Sequence, residues 1–431
     1  MKKLTALFVF FAFLLSLSAQ KLFIAKVPVP VFILIFGVCL LSFLFAHLVL
    51  RVLKQIKKQI AVQTTRPNPN AAVSKKDADE AMLFVLKTMT ATTEGDLSAA
   101  RKYLQNLKNL IGQSVLTDIL ELKIFKGEKN FDAVEKLSFK LLKNKDAELV
   151  GLKALIETSS KKNDFEKALL SANKAFQARQ DLYWVIENAF LLRARSADWD
   201  GALEVLEAGF KKKLVSNEKY NELKAIALYS LSLKQTKDSK HFNALQCLRQ
   251  ACHLAPDFVP AALDLAAYFK KNNQPEQAKK TLINIWRRNP TYLIAKTYLS
   301  LFDDKSPLEQ VLRLENLALL NHQNPSLNNF LLAEYDMKAK LYDKARSEFE
   351  VFLINNPATK KLIELIEKYE KTVNHNPKAA ENWHKRLSSC ADDCLWVCSH
   401  CKNTSSKWKP FCSKCGTFNP FSWFLCVKKR G

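Results

Sequence analysis

Apolar residues in this chain recur at helical spacing, and the helices come in pairs. In Val259–Pro290 (VPAALDLAAYFKKNNQPEQAKKTLINIWRRNP), Ala262, Leu265, Ala266 and Phe269 fall on one helical stripe. Ala278, Leu282 and Ile285 form a facing stripe, and Pro290 ends the unit. Asn272-Asn273-Gln274-Pro275 reads as the turn, because proline suits the first turn of a helix and not its interior. Small Ala266 and Ala278 permit close approach of two antiparallel helices, and the larger residues fill the seam.

The unit recurs. Counting on the alanine expected to be buried after each turn gives Ala99, Ala133, Ala168, Ala202, Ala244, Ala278 and Ala345. The regular steps are 34, 35, 34 and 34 residues, with 67 for the last pair, which is two periods. The skipped position falls at Val311, in a degenerate copy, and the longer step from Ala202 to Ala244 places an insertion near Leu233–Lys240. Turn residues repeat at Gly95-Asp96-Leu97, Asn130-Phe131, Asn163-Asp164-Phe165, Asp198-Trp199 and Leu341-Tyr342, and closing prolines at Pro256, Pro290, Pro325 and Pro357. The pattern of aromatic or apolar, Leu-Gly/Ala, Tyr, then Ala, Phe and Pro resembles the tetratricopeptide repeat (TPR), so the expected fold is an all-α TPR α-solenoid.

Two segments break the helical period with continuous hydrophobicity. Leu4–Ala19 is apolar or small throughout, and Val27–Leu50 carries no Asp, Glu, Lys or Arg in 24 residues. At about 1.5 Å per residue, a helix of the second length crosses a hydrocarbon core of roughly 30 Å. Leu4–Ala19 reads as a first, uncleaved span, with a signal peptide ending after Ser16-Leu17-Ser18 as the alternative. His47, inside the second span, lies one turn from Arg51 and reaches the interface as a neutral imidazole. Arg51, Lys54, Lys57 and Lys58 follow that span immediately, against Lys21 and Lys26 in the intervening loop, which orients both ends of the hairpin inward. The expectation is a two-pass inner-membrane protein with most of its chain cytoplasmic. Arg51–Val62 is a basic amphipathic stretch suited to anionic lipid headgroups.

The domain reading is therefore residues 1–50 as a transmembrane hairpin, 51–76 as a basic juxtamembrane helix and linker, 77–385 as the repeat array, and 390–426 as a separate module. With nine glycines in 431 residues and little β-branched alternation, the chain is not an α/β protein. Its net charge of +24 comes from scattered lysine pairs and triplets such as Lys211-Lys212-Lys213. No nucleic-acid signature accompanies them, and they read as solvated helix faces beside an anionic membrane. No phosphate loop, dinucleotide fingerprint, zinc-protease or serine-hydrolase motif occurs, so a non-enzymatic role is expected. Such arrays bind protein partners along their first helices, where Tyr183, Trp184, Asn188, Tyr229 and Asn329 are candidates for either contact or core. Cys247 and Cys252 read as core residues.

Seven of the ten cysteines lie in the last 42 residues. Cys398, Cys401, Cys412 and Cys415 form two CxxC knuckles, W-V-C-S-H-C and C-S-K-C-G, separated by ten residues. Each knuckle turns two sulfurs and nearby backbone N–H groups toward one point, so four thiolates can surround one tetrahedral ion. Structural zinc is the expected metal, with iron of the rubredoxin type as the alternative. Lys402 after the first knuckle excludes a c-type haem attachment. Trp396, Trp408, Phe411, Phe418 and Trp423 supply a core, and Cys390, Cys394 and Cys426 are spare thiols.

The order of two apolar segments, linker, TPR array and the segment Trp396–Trp423 (WVCSHCKNTSSKWKPFCSKCGTFNPFSW) resembles the HemY family of bacterial inner-membrane TPR proteins. That resemblance implies an anchored scaffold associated with haem (porphyrin) biosynthesis, acting on protein partners that include haem-pathway enzymes. The flavin-dependent protoporphyrinogen oxidase that has carried the same name needs a dinucleotide fingerprint, which this chain lacks. A rival resemblance is to the lipopolysaccharide-assembly TPR adaptor, which has one span and a rubredoxin-like four-cysteine module packed back on its repeats. A rubredoxin-type electron carrier is the third reading.

Overall fold

In the computed structural model, residues 75–238, 241–302, 305–322 and 324–427 are described. The apolar segments, His47, the basic stretch and the linker as far as residue 74 lie outside them; the last two linker residues, Lys75 and Lys76, instead begin the first helix. Among the described residues no helix is long and apolar enough to cross a membrane. The chain divides into two compact units, Met1–Lys129 and Asn130–Gly431.

The described part of the first unit is three helices: α1 (Lys75–Glu94), α2 (Leu97–Ile111) and α3 (Val115–Gly127). Gly95 at φ 84° makes the first turn, and the Asp96 carboxylate accepts the Ala99 N–H to cap α2. Ser114 and Thr117 form a reciprocal capping box at α3. Val85, Leu104, Leu107, Leu120 and Ile124 are the core.

The second unit begins with α4 (Phe131–Leu141), α5 (Glu148–Lys161), α6 (Phe165–Ala178), α7 (Tyr183–Arg195), α8 (Trp199–Lys211), α9 (Asn217–Lys237) and α10 (His241–Leu254). It continues with α11 (Val259–Lys271), α12 (Pro275–Trp286), α13 (Tyr292–Leu299), α14 (Pro307–Ala318), α15 (Pro325–Lys338), α16 (Tyr342–Asn355), α17 (Lys360–Thr372) and α18 (Pro377–Lys385). Consecutive helices pack as TPR-like pairs, α5 on α6, α7 on α8, α9 on α10, α11 on α12 and α15 on α16. The first helices of successive pairs also touch, α11 to α13, α13 to α15 and α15 to α17, which joins the pairs into an array.

The pair α11/α12 follows its pattern. Ala262, Leu265, Ala266 and Phe269 are buried against Ala278, Leu282 and Ile285. Asn273 turns the chain at φ 54°, and the Gln274 N–H donates to the Phe269 carbonyl at 2.9 Å before Pro275 starts α12. Asn163, Ala197 and Lys340 adopt the same left-handed conformation, followed by the same bond across the turn. Trp286, fully buried, donates its indole N–H to the Leu317 carbonyl on α14 at 2.7 Å, linking one pair to the next.

Two details differ from the expected register. Ala99 and Ala133 are only half-buried, and their neighbours Ala100 and Val134 are fully buried. The seam is counted from the cap: Asp96, Asn130, Asp164 and Asp198 cap their helices at intervals of 34, and the buried residue is always the fourth after the cap. The uneven step of 35 disappears. Val311 is buried as expected, but it lies five residues after its cap, Ser306, in keeping with a degenerate copy. The insertion before Ala244 is helix: α9 runs 21 residues against 13 for α7 and α11.

After a short 3-10 turn at Arg386–Ser388 the chain becomes a three-stranded antiparallel sheet: β1 (Asp392–Cys398), β2 (Thr404–Ser405) and β3 (Phe421–Val427), in the order β2-β1-β3. Trp396 on the central strand pairs with Ser405 on one side and Trp423 on the other.

Candidate metal centre and its seat on the repeats

The four-cysteine site is built from two copies of one turn. In the first, the Cys398 N–H donates to the Asn403 carbonyl at 2.8 Å and the Lys402 N–H to the Cys398 carbonyl at 3.0 Å. In the second, the Cys412 N–H donates to the Thr417 carbonyl at 3.0 Å and the Gly416 N–H to the Cys412 carbonyl at 2.9 Å. Each turn reverses at a left-handed residue directly after its second cysteine, Lys402 at φ 57° and Gly416 at φ 70°. Lysine is tolerated at the first. At the second, glycine avoids the strain of the left-handed backbone, and a Cβ would lie 2.4 Å from Arg195 Nη2 and displace that guanidinium.

The turns bring the four sulfurs within 4.8 Å of one another, with Cys398 to Cys415 at 3.7 Å and Cys401 to Cys412 at 3.6 Å. A tetrahedral ion with metal–sulfur bonds of about 2.3 Å requires sulfurs about 3.8 Å apart, so the donor set fits a metal. Cys398 and Cys412 are buried, Cys401 and Cys415 half-buried. The Thr417 hydroxyl and backbone N–H hold the Cys415 thiol down at about 6, which favours the thiolate a metal needs. Burial raises the Cys412 thiol, but the Cys415 and Lys414 backbone N–H groups outweigh it and the net shift is downward. Among the described residues this is the only cluster of metal-ligating side chains with suitable geometry. Cys390 stands apart, its thiol donating to the Leu387 carbonyl. Cys247 and Cys252 pack on the helical core, and burial pushes the Cys252 thiol up to about 12.

The module is seated against the helices. Arg195, on α7, donates from Nη2 to the Gly416 carbonyl at 2.8 Å, and its guanidinium lies 5.0 Å from the Phe411 ring and 4.0 Å from Phe165. Phe418 meets Phe190 edge-on at 5.6 Å, and the Asn419 amide donates to Glu222 Oε1 on α9 at 2.9 Å. Trp408 packs edge-on against both Tyr229 and Phe258, at 5.6 and 5.1 Å, completing a cluster of three rings. At the far end, Asp393 caps α17 by accepting the Lys361 backbone N–H, and Thr359 pairs with Ala391. These seat residues carry no local signal, because their partners lie up to 221 residues away in the chain.

The five side chains considered for partner contact do not converge. Tyr183 is exposed and donates to Glu187; Trp184 lies under Lys153; Asn188 bonds the Trp184 carbonyl. Asn329 is half-buried. Tyr229 is buried, with its hydroxyl on Asp264 Oδ2 at 3.0 Å, and serves the seat of Trp408.

No family model and no curated protein matches the chain. Among solved structures it is similar to one of Naa15/Naa10 bound to HypK-THB, at 15% identity, TM-score 0.43, covering 73% of this chain. The chain spans about half the length of that structure, 54%. It is also similar to the TPR domain of P58(IPK), at 15% identity, TM-score 0.23, covering 70% of this chain and 91% of that one. PilF of Pseudomonas aeruginosa is matched at 14% identity, TM-score 0.30, covering 54% of this chain and 100% of that one.

Proposed function

We propose that this protein is a non-catalytic, membrane-anchored scaffold whose helix pairs receive protein partners at the cytoplasmic face of a bacterial inner membrane. The observation that carries the reading is the array itself, in which contacting first helices provide a continuous surface while their seams are closed by core side chains. The anchor is inferred from Leu4–Ala19 and Val27–Leu50, and the facing side from the basic residues after Leu50. Cys398, Cys401, Cys412 and Cys415 hold a structural zinc ion, whose contribution is to fix the turn that meets Arg195 through Gly416, and with it the neighbouring Phe418 and Trp408 that meet Phe190 and Tyr229. Iron in the same site is the alternative.

The pathway reading is haem (porphyrin) biosynthesis, from the order of segments and from Trp396–Trp423. The seating of the four-cysteine module on the repeats favours a second reading, the lipopolysaccharide-assembly type of adaptor that regulates membrane enzymes. A deletion strain separates them. Altered porphyrin pools with normal lipopolysaccharide support the first, altered lipopolysaccharide with normal porphyrins the second, and neither change removes both. Crosslinking in membranes tests the scaffold: it predicts protein adducts on the first helices, and a protein recovered only as an unlinked chain overturns it.

A further inference from the structure

Glu334, on α15, is 3% exposed and is surrounded by three lysines from three successive first helices. Its Oε1 accepts from Lys338 at 2.9 Å and from Lys296, on α13, at 3.4 Å. Its Oε2 accepts from the Tyr292 hydroxyl at 2.8 Å and lies 2.6 Å from Lys361 Nζ, on α17. Despite burial, which favours the neutral acid, Lys361 and Lys338 hold the carboxyl down at about 2. One counter-ion would satisfy one carboxylate. Three ammonium groups leave a local excess of positive charge.

That excess is held in place. Lys296 and Lys338 lie 5.6 and 4.0 Å from the Tyr335 ring, and Lys361 lies 4.6 Å from that of Tyr292. Each ammonium carries three N–H groups, so bonding Glu334 leaves each with donors to spare. Of the nearby carboxylates, Asp393 is bound to the α17 backbone, while exposed Glu364 lines the site itself, so Lys296, Lys338, Lys361 and Lys368 face two carboxylates, Glu334 and Glu364. Beside Glu334 opens a depression of about 270 Å³ lined by Lys338, Lys361, Lys368, Glu364, Met337 and Leu365. Small-molecule sites begin at about 300 Å³, so this one suits a side chain or chain terminus better than a whole ligand.

We propose that this pocket is a carboxylate-binding subsite for an acidic segment of a partner protein, with Met337 and Leu365 seating an aliphatic residue beside the acid. This rests on the scaffold reading and names the chemistry of its partner. Glu334 acts as the resident anion that keeps the lysines assembled, and the incoming carboxylate shares them.

The test uses the full-length chain in a non-ionic detergent and a fluorescein-labelled hexapeptide, Leu-Glu-Glu-Leu-Asp-Asp, read by anisotropy. Replacing Lys338→Gln and Lys368→Gln together, both at partly or fully exposed positions, is expected to weaken binding by about tenfold. The charge-matched pair Lys211→Gln and Lys212→Gln is expected to leave it unchanged. Glu334→Gln removes the anion that holds the lysines together and is expected to weaken binding by about fivefold. The proposal is overturned by equal weakening in both double variants, which is bulk attraction to a basic protein. It is overturned too by undiminished binding of an uncharged control peptide, Leu-Gln-Gln-Leu-Asn-Asn, by no binding of the acidic peptide at all, or by its displacement with equimolar inorganic phosphate. Capture by phosphatidylglycerol vesicles, lost in the Lys338/Lys368 variant while the peptide is ignored, reassigns the pocket to lipid. A chain that crosslinks to protein in membranes but ignores the peptide keeps the scaffold reading and loses this one.

Discussion

The helix array and the four-cysteine module are held together in opposite ways. In the array, order is spread over many similar seams, most of them closed by a small residue four places after a helix cap and a handful of larger side chains. In the module, two turns of four or five residues converge on four sulfurs, with a three-stranded sheet and a few aromatic rings behind them. A repeat can lose one contact and remain a repeat, because its neighbours still cover it. A module this small has no such reserve, and a metal is the usual substitute for a missing core. What concentrates stability at one point also makes that point a switch.

The largest test of this contrast is removal of a ligand. Cys412→Ser, or chelation of the wild type, is expected to unfold the module completely, since a structural zinc site is worth on the order of 10 kcal/mol. The helical circular dichroism should persist while proteolysis strips residues beyond Ser389. A module that stays resistant without metal would falsify the structural-metal assignment. Next in size, Trp286→Ala removes a fully buried ring and its bond to Leu317, at an expected cost of about 3–5 kcal/mol. Thermal unfolding of the helices should shift downward, with metal stoichiometry unchanged; a parallel loss of metal would mean that the two regions are not separable.

Arg195→Ala probes the seat between them. Loss of its charged bond to Gly416 and of its place beside Phe411 is expected to weaken docking by about 2 kcal/mol, seen as faster hydrogen exchange over residues 408–419. Unaltered exchange there would show that Trp408 and Phe418 suffice. The smallest effect is at Asp336, 2% exposed, whose Oδ1 has no hydrogen-bond partner. Burial, with a smaller push from Glu315 against the pull of Lys344, raises its carboxyl to about 6. The folded state therefore binds this proton more tightly than the unfolded chain, and stability is lost as the pH rises from about 4 through 6. Asp336→Asn should stabilise the protein by about 1 kcal/mol at pH 7 and by nothing near pH 4. Glu334 has the opposite sign: its lowered carboxyl contributes stability above its ordinary value near 4.5, lost as the pH falls toward 2. The two should appear as opposed slopes in a titration of unfolding free energy.

The helix pairs were legible because their signal is local. Alanine, cap and turn residues recur within one pair, and α11/α12 could be drawn almost residue by residue from Val259–Pro290. The register slipped by one at Ala99 and Ala133 for the same reason: an alanine next to the seam looks like one in it until the cap is known. The knuckles were legible because four ligands in two pairs have few other uses, and the sulfurs meet as their spacing predicts. The seat and the lysine cluster were not legible. Arg195 meets Gly416 across 221 residues, and Lys296, Glu334 and Lys361 meet only when three helices align. No single helix says which of its lysines will face a carboxylate.

The position of the module in the chain has a consequence for biosynthesis. Each helix pair can close as soon as it leaves the ribosome, because its contacts are local, and folding can advance along the array during translation. The four-cysteine segment is made after the repeats it binds, and its contacts reach back to Arg195, Glu222 and Phe258. It can dock only on repeats that have already formed. A chain with a misfolded middle is therefore expected to leave this segment undocked and open to proteolysis.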